Sequence, residues 1–177
     1  MTATSALRSA HPSLYEFTDA YYHRYFDMLG TTDMALALTQ SRDRVVDVFT
    51  RFAHRADHRY AEGKWSVREV LQHIIDTELI FMYRSLRLAR RDGTSMAGFN
   101  ENEYIKTADI AGQSITELLA AFTALRNAHL TLMKGFASDG WDFKGQANGK
   151  PMTARALGYL MAAHPMHHCK VVEERYS

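Results

Sequence analysis

Four long segments with helical periodicity constrain the fold of this chain more than any other feature of its sequence. In each segment apolar side chains recur at steps of three and four residues, which places them along one face of a helix. The segments run from about Asp33 to Ala53, from Ser66 to Arg91, from Ser114 to Phe136 and from Thr153 to Arg175. Because each helix must bury its apolar face against a neighbour, the pattern predicts an all-α fold with a four-helix bundle.

Capping signals mark where these helices begin. Ser66 and Ser114 are each followed three residues later by a glutamate, which is the spacing of a capping box. Thr153 is the expected N-cap of the fourth helix. Ahead of the bundle, an aromatic-rich stretch over residues 15–29 predicts one additional short helix that ends at Gly30.

Chain length and patterning predict one domain. A chain of 177 residues can bury its own core as a single unit over residues 1–177, and no segment shows strand alternation of useful length. Two connections, residues 92–113 and 138–152, are long for a helical bundle, and long connections are either crossovers or functional loops. We expect the walls of a pocket to include Asn100, Tyr104 and Trp141.

Charge, cysteine content and hydropathy exclude several classes of protein. Twenty-one Lys and Arg residues against 20 Asp and Glu residues give a net charge of +1, which offers no basic surface for nucleic acid. The single cysteine, Cys169, excludes an internal disulfide framework and fits a reducing cytoplasm. The N-terminus lacks the apolar core of a signal peptide, and no run reaches the ~18 apolar residues of a membrane span. We therefore expect a cytoplasmic protein whose partners include neither nucleic acid nor a membrane.

Two histidines occupy positions where the fourth helix should be apolar. His164 and His168 project near the centre of its stripe and are four residues apart, so their side chains share one face. Two imidazoles in this arrangement can bind one metal ion. The alternative is a pair of core histidines with satisfied hydrogen bonds. His167 projects toward the flank and is the weaker candidate.

A third ligand would have to come from another helix. His73, on the flank of the second stripe, is the best candidate, and His129 within the third stripe competes with it. His54 and His58 repeat the four-residue spacing, but they lie off the first stripe near a helix end, where free carbonyls and the helix dipole favour histidine.

Two charged residues also interrupt apolar stripes. Glu78 lies mid-stripe on the second helix and Arg126 mid-stripe on the third. Because a buried charge persists only when it is paired or bound to metal, we predict an ion pair between them. The alternative is that Glu78 acts as a general base or as a fourth metal ligand. Cys169 points about 100° away from His168 and is predicted to be a packed thiol, not a ligand.

Four stretches of the chain resemble sequences of the DinB-like (YfiT-type) superfamily. Together with their order, they carry the resemblance over about residues 13–176. They are WSVREVLQHIIDTE at 65–78, GFNENEY at 98–104, ANGKP at 147–151 and AHPMHH at 163–168.

The resemblance implies a four-helix bundle in which three histidines hold one divalent metal ion. Carried over position by position, the ligands are His73, His164 and His168, whereas His167 matches a position that is not usually a ligand. One departure is Pro165, where relatives commonly carry an acidic or small residue. A proline inside the helix removes an N–H group and is expected to kink the chain near the site.

The resemblance also suggests a chemistry. Three neutral imidazoles leave a zinc, nickel or similar ion with open positions, where water can be acidified or a thiol can bind as thiolate. DinB-like proteins include transferases that use low-molecular-weight thiols, so the resemblance implies a metal-dependent enzyme, with a thiol-dependent transferase acting on small electrophiles as the first candidate. The alternatives are a hydrolase that uses metal-activated water and a non-enzymatic metal-binding or stress-related bundle.

We also expect a two-fold homodimer. DinB-like proteins often look dimeric, and the segment over residues 15–29 carries more aromatic surface than one side of a short helix needs for packing on its own bundle. Aromatic residues are enriched at interface cores.

Overall fold

The computed structural model describes residues 3–177, and its N-terminal part is a series of short elements. These are α1 (Ala3–Ala10), α2 (Ser13–Glu16), a 3-10 turn (Ala20–Tyr22) and α3 (His23–Phe26). The elements that follow include the four long helices, α4 (Met34–Arg51), α5 (Val67–Ala89), α7 (Ile115–Met133) and α8 (Ala154–Arg175), with the short α6 (Glu101–Thr107) between α5 and α7. The predicted all-α four-helix bundle is confirmed.

The predicted caps are present at the N-termini of the long helices. Ser66 and Ser114 each form a complete capping box with the glutamate three residues later. The Thr153 hydroxyl accepts a hydrogen bond from the backbone N–H of Ala156 at 3.1 Å. The side chain of Asp33 caps α4 in the same way. Each cap satisfies backbone donors that the first helical turn leaves free.

The aromatic segment over residues 15–29 is not the single helix that its composition suggests. The Asp19 carboxylate accepts a hydrogen bond from the backbone N–H of Tyr21 at 2.8 Å and starts a new turn there. Such a local bond competes with a continuous helix. The resulting turns fold Tyr15, Tyr25 and Phe26 into the core of the bundle.

A short antiparallel hairpin interrupts the otherwise helical fold. Strand β1 (Lys144–Ala147) pairs with β2 (Lys150–Thr153), so the expectation of no strand is wrong at this point. Asn148 and Gly149 form the turn with φ values of 56° and 70°. Positive φ at both positions is typical of a type I′ hairpin turn. Four-residue strands are too short for alternation to reveal them, and the Asn-Gly pair was the available signal.

The two long connections meet beside the hairpin. The backbone N–H of Met96 donates to the Gln146 carbonyl at 3.1 Å, and the N–H of Asn148 donates to the Met96 carbonyl at 2.9 Å. Gly98 allows this approach, because a Cβ there would collide with the side-chain amide of Asn148. The two long connections are therefore joined to each other by backbone hydrogen bonds.

Helix α8 is the central element of the bundle. It packs against both α4 and α5, and its buried residues contribute to both clusters of the hydrophobic core. Polar side chains on α8 are consequently held in a fixed environment. Within the described residues, none of the helices combines the length and apolar character needed to cross a bilayer.

Candidate metal centre

Three histidines from α5 and α8 converge at one point. The Nε2 atom of His164 lies 3.1 Å from Nε2 of His73 and 3.0 Å from Nε2 of His168. One ring nitrogen from each residue lies within 4.8 Å of the other two. Nitrogens that bind one tetrahedral zinc ion at 2.0–2.1 Å are about 3.3 Å apart, so the spacing suits a shared ion.

The electrostatics of the cluster favour neutral imidazoles. Burial lowers the pKa of His73 to about 4, although the charge of Glu101 acts in the opposite direction. Burial, together with the neighbouring imidazoles, holds the pKa of His164 and of His168 well below the usual value. Neutral imidazole is the form that binds metals. The donor set of three neutral nitrogens therefore fits a divalent ion of the zinc or nickel type.

Aromatic rings hold the cluster in place. The indole of Trp65 packs on His73 with a centroid distance of 4.7 Å, and the ring of Phe81 lies 6.0 Å from that of His164. His167 lies outside the cluster, as its flank position predicts, and packs edge-on against Tyr25. These contacts restrict rotation of the imidazoles.

The cluster opens into a cavity of about 450 Å³. Helices α5 and α8, the N-terminal aromatic segment and the two long loops all contribute to its walls. The lining residues are Tyr21, Tyr22, Tyr25, Trp65, His73, Thr77, Phe81, Arg84, Phe99, Glu101, Asn148, Lys150, Leu160, His164, His167 and His168. This volume is in the range of small-molecule sites.

The loops were predicted correctly as walls of the pocket, but the residues within them were not. Asn100 instead caps α6 by accepting hydrogen bonds from two backbone N–H groups. The Tyr104 ring packs against Phe99 at 5.2 Å, and Trp141 packs against Phe136 at 5.0 Å. Loop side chains take their directions from the hairpin and from α6, which the sequence pattern did not reveal.

The predicted buried ion pair between Glu78 and Arg126 is confirmed. The Arg126 guanidinium donates to both Glu78 carboxylate oxygens at 2.7 and 2.8 Å. His129, whose Nδ1 lies 3.0 Å from the same carboxylate, belongs to this network and not to the histidine cluster. With two partners and three contacts deep in the core, Glu78 is neither a base in the cavity nor a metal ligand, so the alternative roles considered for it are wrong.

Pro165 does not disrupt the site. Helix α8 continues through it, and the proline leaves the carbonyl of Met161, four residues earlier, without its helical donor. The Arg126 guanidinium donates to that carbonyl at 2.7 Å. The arginine thus replaces the missing helical hydrogen bond about one turn before His164 on α8.

His54, His58 and the cysteine lie outside the cluster, as predicted. His54 contacts the Arg51 carbonyl at 3.0 Å at the end of α4, and His58 packs against the ring of Tyr176. Burial raises the pKa of the Cys169 thiol to about 12. The thiol is therefore a protonated core group and takes no part in the cluster.

Among the polar residues that line the cavity, sequence patterning missed Thr77, Arg84 and Glu101. Thr77 and Arg84 follow His73 on α5 by four and eleven residues, and Glu101 begins α6. The spacing on α5 could have revealed the first two, because these positions share the face of the helix that carries His73. Glu101 had no such signal, since it lies in the long connection over residues 92–113, where the sequence predicted no helix.

The fold and the cluster define the class: a helical-bundle protein with a buried three-histidine site of the metal-ligand type. The chain belongs to the DinB superfamily, whose family profile matches residues 37–172. The resemblance recognised in the sequence motifs is confirmed.

Two other proteins are similar to this chain, one in sequence and one in structure. A Geobacillus kaustophilus protein that carries the name "Putative metal-dependent hydrolase" is 29% identical over 115 residues, and the match covers 62% of this chain and 62% of the relative. The chain thus spans less than two thirds of that protein. A solved structure of YfiT from Bacillus subtilis, described as a probable metal-dependent hydrolase with an unusual four-helix bundle topology, matches with a TM-score of 0.70. It is 16% identical, with 80% of this chain and 82% of YfiT covered, which shows a shared fold.

Proposed function

We propose that this protein is a metal-dependent hydrolase of small molecules, with His73, His164 and His168 as the ligands of one divalent ion. The observation that carries the proposal is the convergence of three neutral imidazoles beside a cavity. The names of the two relatives support it. When bound, the ion supplies a Lewis acid that polarises a carbonyl or phosphoryl oxygen and lowers the pKa of water to about 7.

The side chains of the cavity would position substrate and move protons. We assign the role of proton acceptor to Glu101, because its carboxylate lines the cavity and its charge acts on His73. The apolar rings of Trp65 and Phe81 exclude bulk water from the histidine end. A carboxylate is a common general base.

A thiol-dependent transferase is the second candidate function, and a non-enzymatic metal-binding bundle is the third. A transferase would need a low-molecular-weight thiol from solution, because the protein's own Cys169 is buried and protonated. The cavity of about 450 Å³ has room for such a cofactor. All three functions require the same three histidine ligands. They are distinguished by whether the protein catalyses hydrolysis, thiol transfer or neither reaction.

The test compares reactions of protein purified without chelator and without a polyhistidine tag. We expect hydrolysis of nitrophenyl esters that is lost with a chelator and restored by zinc or nickel. Conjugation of cysteine to an aryl halide without ester hydrolysis would favour the transferase. Bound metal with neither reaction would favour the non-enzymatic function. Activity that is indifferent to chelator would contradict all three.

Substituting Glu101 with glutamine should lower the rate of hydrolysis by about 10²-fold or more, because a general base typically contributes 10²–10⁴-fold. Metal content should not change, since Glu101 is not in the ligand cluster. The matched control is Glu103→Gln, an exposed carboxylate on the same helix that pairs with Lys106. Equal rates in the two variants would remove Glu101 from the mechanism.

We also propose a homodimer, with a different interface from the one that the aromatic segment suggested. Tyr15 and Tyr25 of that segment are buried in the protein's own core. Their rings are therefore not available to contact a partner subunit. Helix α5 instead exposes Leu79, Tyr83 and Leu86 by 47%, 57% and 40%, at spacings that form one apolar stripe.

Light scattering at tens of micromolar should therefore give twice the chain mass of 20.2 kDa. Tyr83→Lys should give the monomer mass, because it places a charge in the centre of the stripe. Tyr104→Lys, at a comparably exposed tyrosine on α6, is the control and should leave the dimer intact. A wild-type monomer would end the proposal, and a dimer that survives Tyr83→Lys would place the interface elsewhere.

A further inference from the structure

Arg84 is a buried cation without an acidic partner. Its side chain lines the cavity, and only 7% of the residue is exposed. One guanidinium nitrogen donates to the Ala97 carbonyl at 2.7 Å. Within the described part of the chain, no carboxylate lies at ion-pair distance from Arg84, whereas the fully buried Arg126 is paired with Glu78. The guanidinium also lies over the ring of Phe99 at 5.8 Å. Neither the carbonyl nor the ring neutralises the charge, so an anionic ligand would compensate the cost of burying it.

The position of Arg84 on α5 relates it to the histidine cluster. His73, Thr77, Phe81 and Arg84 follow one another at steps of four, four and three residues, and all four line the cavity. The Cα atoms of His73 and Arg84 are about 16 Å apart along the helix axis, and the arginine side chain leans back toward the N-terminus. A ligand held at Arg84 can therefore extend toward the histidines along this face.

Thr77 adds a second unsatisfied group between the two ends. Its Oγ1 atom is buried and has no hydrogen-bond partner among residues 3–177. Only 3% of the residue is exposed. A buried hydroxyl without a partner is unfavourable in the free protein, and rotation of the Thr77 side chain toward the cavity would let a polar atom of a ligand satisfy it.

The charges around the cavity differ between its ends. The carboxylate of Glu101 acts on His73, whereas the groups that act electrostatically on Arg84 are the phenols of Tyr22 and Tyr104. Lys150 adds positive charge to the cavity wall, although it is paired with the carboxylate of Asp19 at 3.0 Å. Negative charge on a ligand is thus favoured near Arg84.

We propose that Arg84 binds the anionic group of the substrate, so that the cavity selects small organic acids. The guanidinium fork matches a carboxylate or a phosphate. The apolar ring of Phe81 and the Thr77 hydroxyl would contact the middle of the molecule, and its reacting bond would lie at the histidines. This last assignment rests on the proposed hydrolase function, whereas the anion site itself does not.

The probes are hexanoate, hexyl phosphate and the neutral hexanamide, and binding to the purified protein is measured by calorimetry. We expect at least one anion to bind about tenfold more tightly than hexanamide, and the preferred anion identifies carboxylate or phosphate as the natural group. Arg84→Gln should reduce the ratio of anion to amide affinity to about one. Arg90→Gln, an exposed arginine on the next turn and outside the cavity, should keep the wild-type ratio.

Two outcomes overturn the proposal: a wild-type protein that does not distinguish the anions from the amide, and an Arg84 variant with the full wild-type ratio. Arg84→Lys keeps the charge and gives a second measurement if the glutamine variant does not fold, and its ratio should be intermediate. His168→Ala should lose the metal site and retain the anion preference. If no metal binds but the preference persists, the proposed function fails and the anion site stands.

Discussion

Protein carrying His164→Ala should be purified without a stoichiometric divalent ion. Nε2 of His164 is the atom that lies within 3.1 Å of both other imidazoles, and its removal leaves only two ligands in the cluster. A catalytic zinc-type site requires three protein ligands. Loss of a ligand should therefore reduce affinity by more than the 10–100-fold typical of outer-shell partners. His73→Ala is expected to have the same effect.

Elemental analysis of tag-free protein measures this outcome. His54→Ala and His167→Ala are the controls, because His54 lies at the end of α4 and His167 lies beside the cluster without joining it. Both should retain the wild-type metal content. If His73→Ala and His164→Ala both retain it as well, the ligand assignment is wrong.

Removing either partner of the buried ion pair should lower the free energy of unfolding by about 3–5 kcal/mol, because the remaining charge stays buried without compensation. Glu78 is 2% exposed and Arg126 is fully buried. Arg126 also donates to the Leu38 carbonyl and to the Ser41 hydroxyl, so the pair joins α4, α5, α7 and α8. Few single substitutions outside the hydrophobic core would affect so many elements.

A double-mutant cycle with Glu78→Gln and Arg126→Met, followed by urea unfolding, should show coupling between the two sites. The surface pair of Arg44 and Glu173 serves as the comparison, and its coupling should not exceed about 1 kcal/mol. Additive losses for Glu78 and Arg126 would contradict the stabilising role assigned to their contact.

The bundle was predictable because its signals are local. Capping boxes at Ser66 and Ser114 and one apolar stripe per helix determine where the long helices begin and which face they bury. The pairing of Glu78 with Arg126 followed from the cost of buried charge. His164 and His168 could be recognised as candidate ligands in a similar way, because they are polar residues within the apolar stripe of α8.

The rest depended on contacts between segments distant in sequence. His73 projects to the flank of its helix and becomes a site residue only because α8 packs against α5 beside it. The walls of the cavity depend on the pairing of Met96 with the hairpin, which no periodicity encodes. The turns over residues 15–29 likewise arise from an aspartate side chain and from burial of aromatic rings, which override the helical pattern.

The hydrogen bond from Arg126 to the Met161 carbonyl changes how Pro165 should be treated in protein engineering. A proline inside a helix costs about 3 kcal/mol relative to alanine, so it is an obvious first target in a search for thermostable variants. Here an alanine at position 165 would restore an N–H group that competes with Arg126 for the same carbonyl. We therefore expect the effects of substitutions at positions 126 and 165 to be coupled, and a stabilised scaffold should be sought by varying them together or by leaving both unchanged.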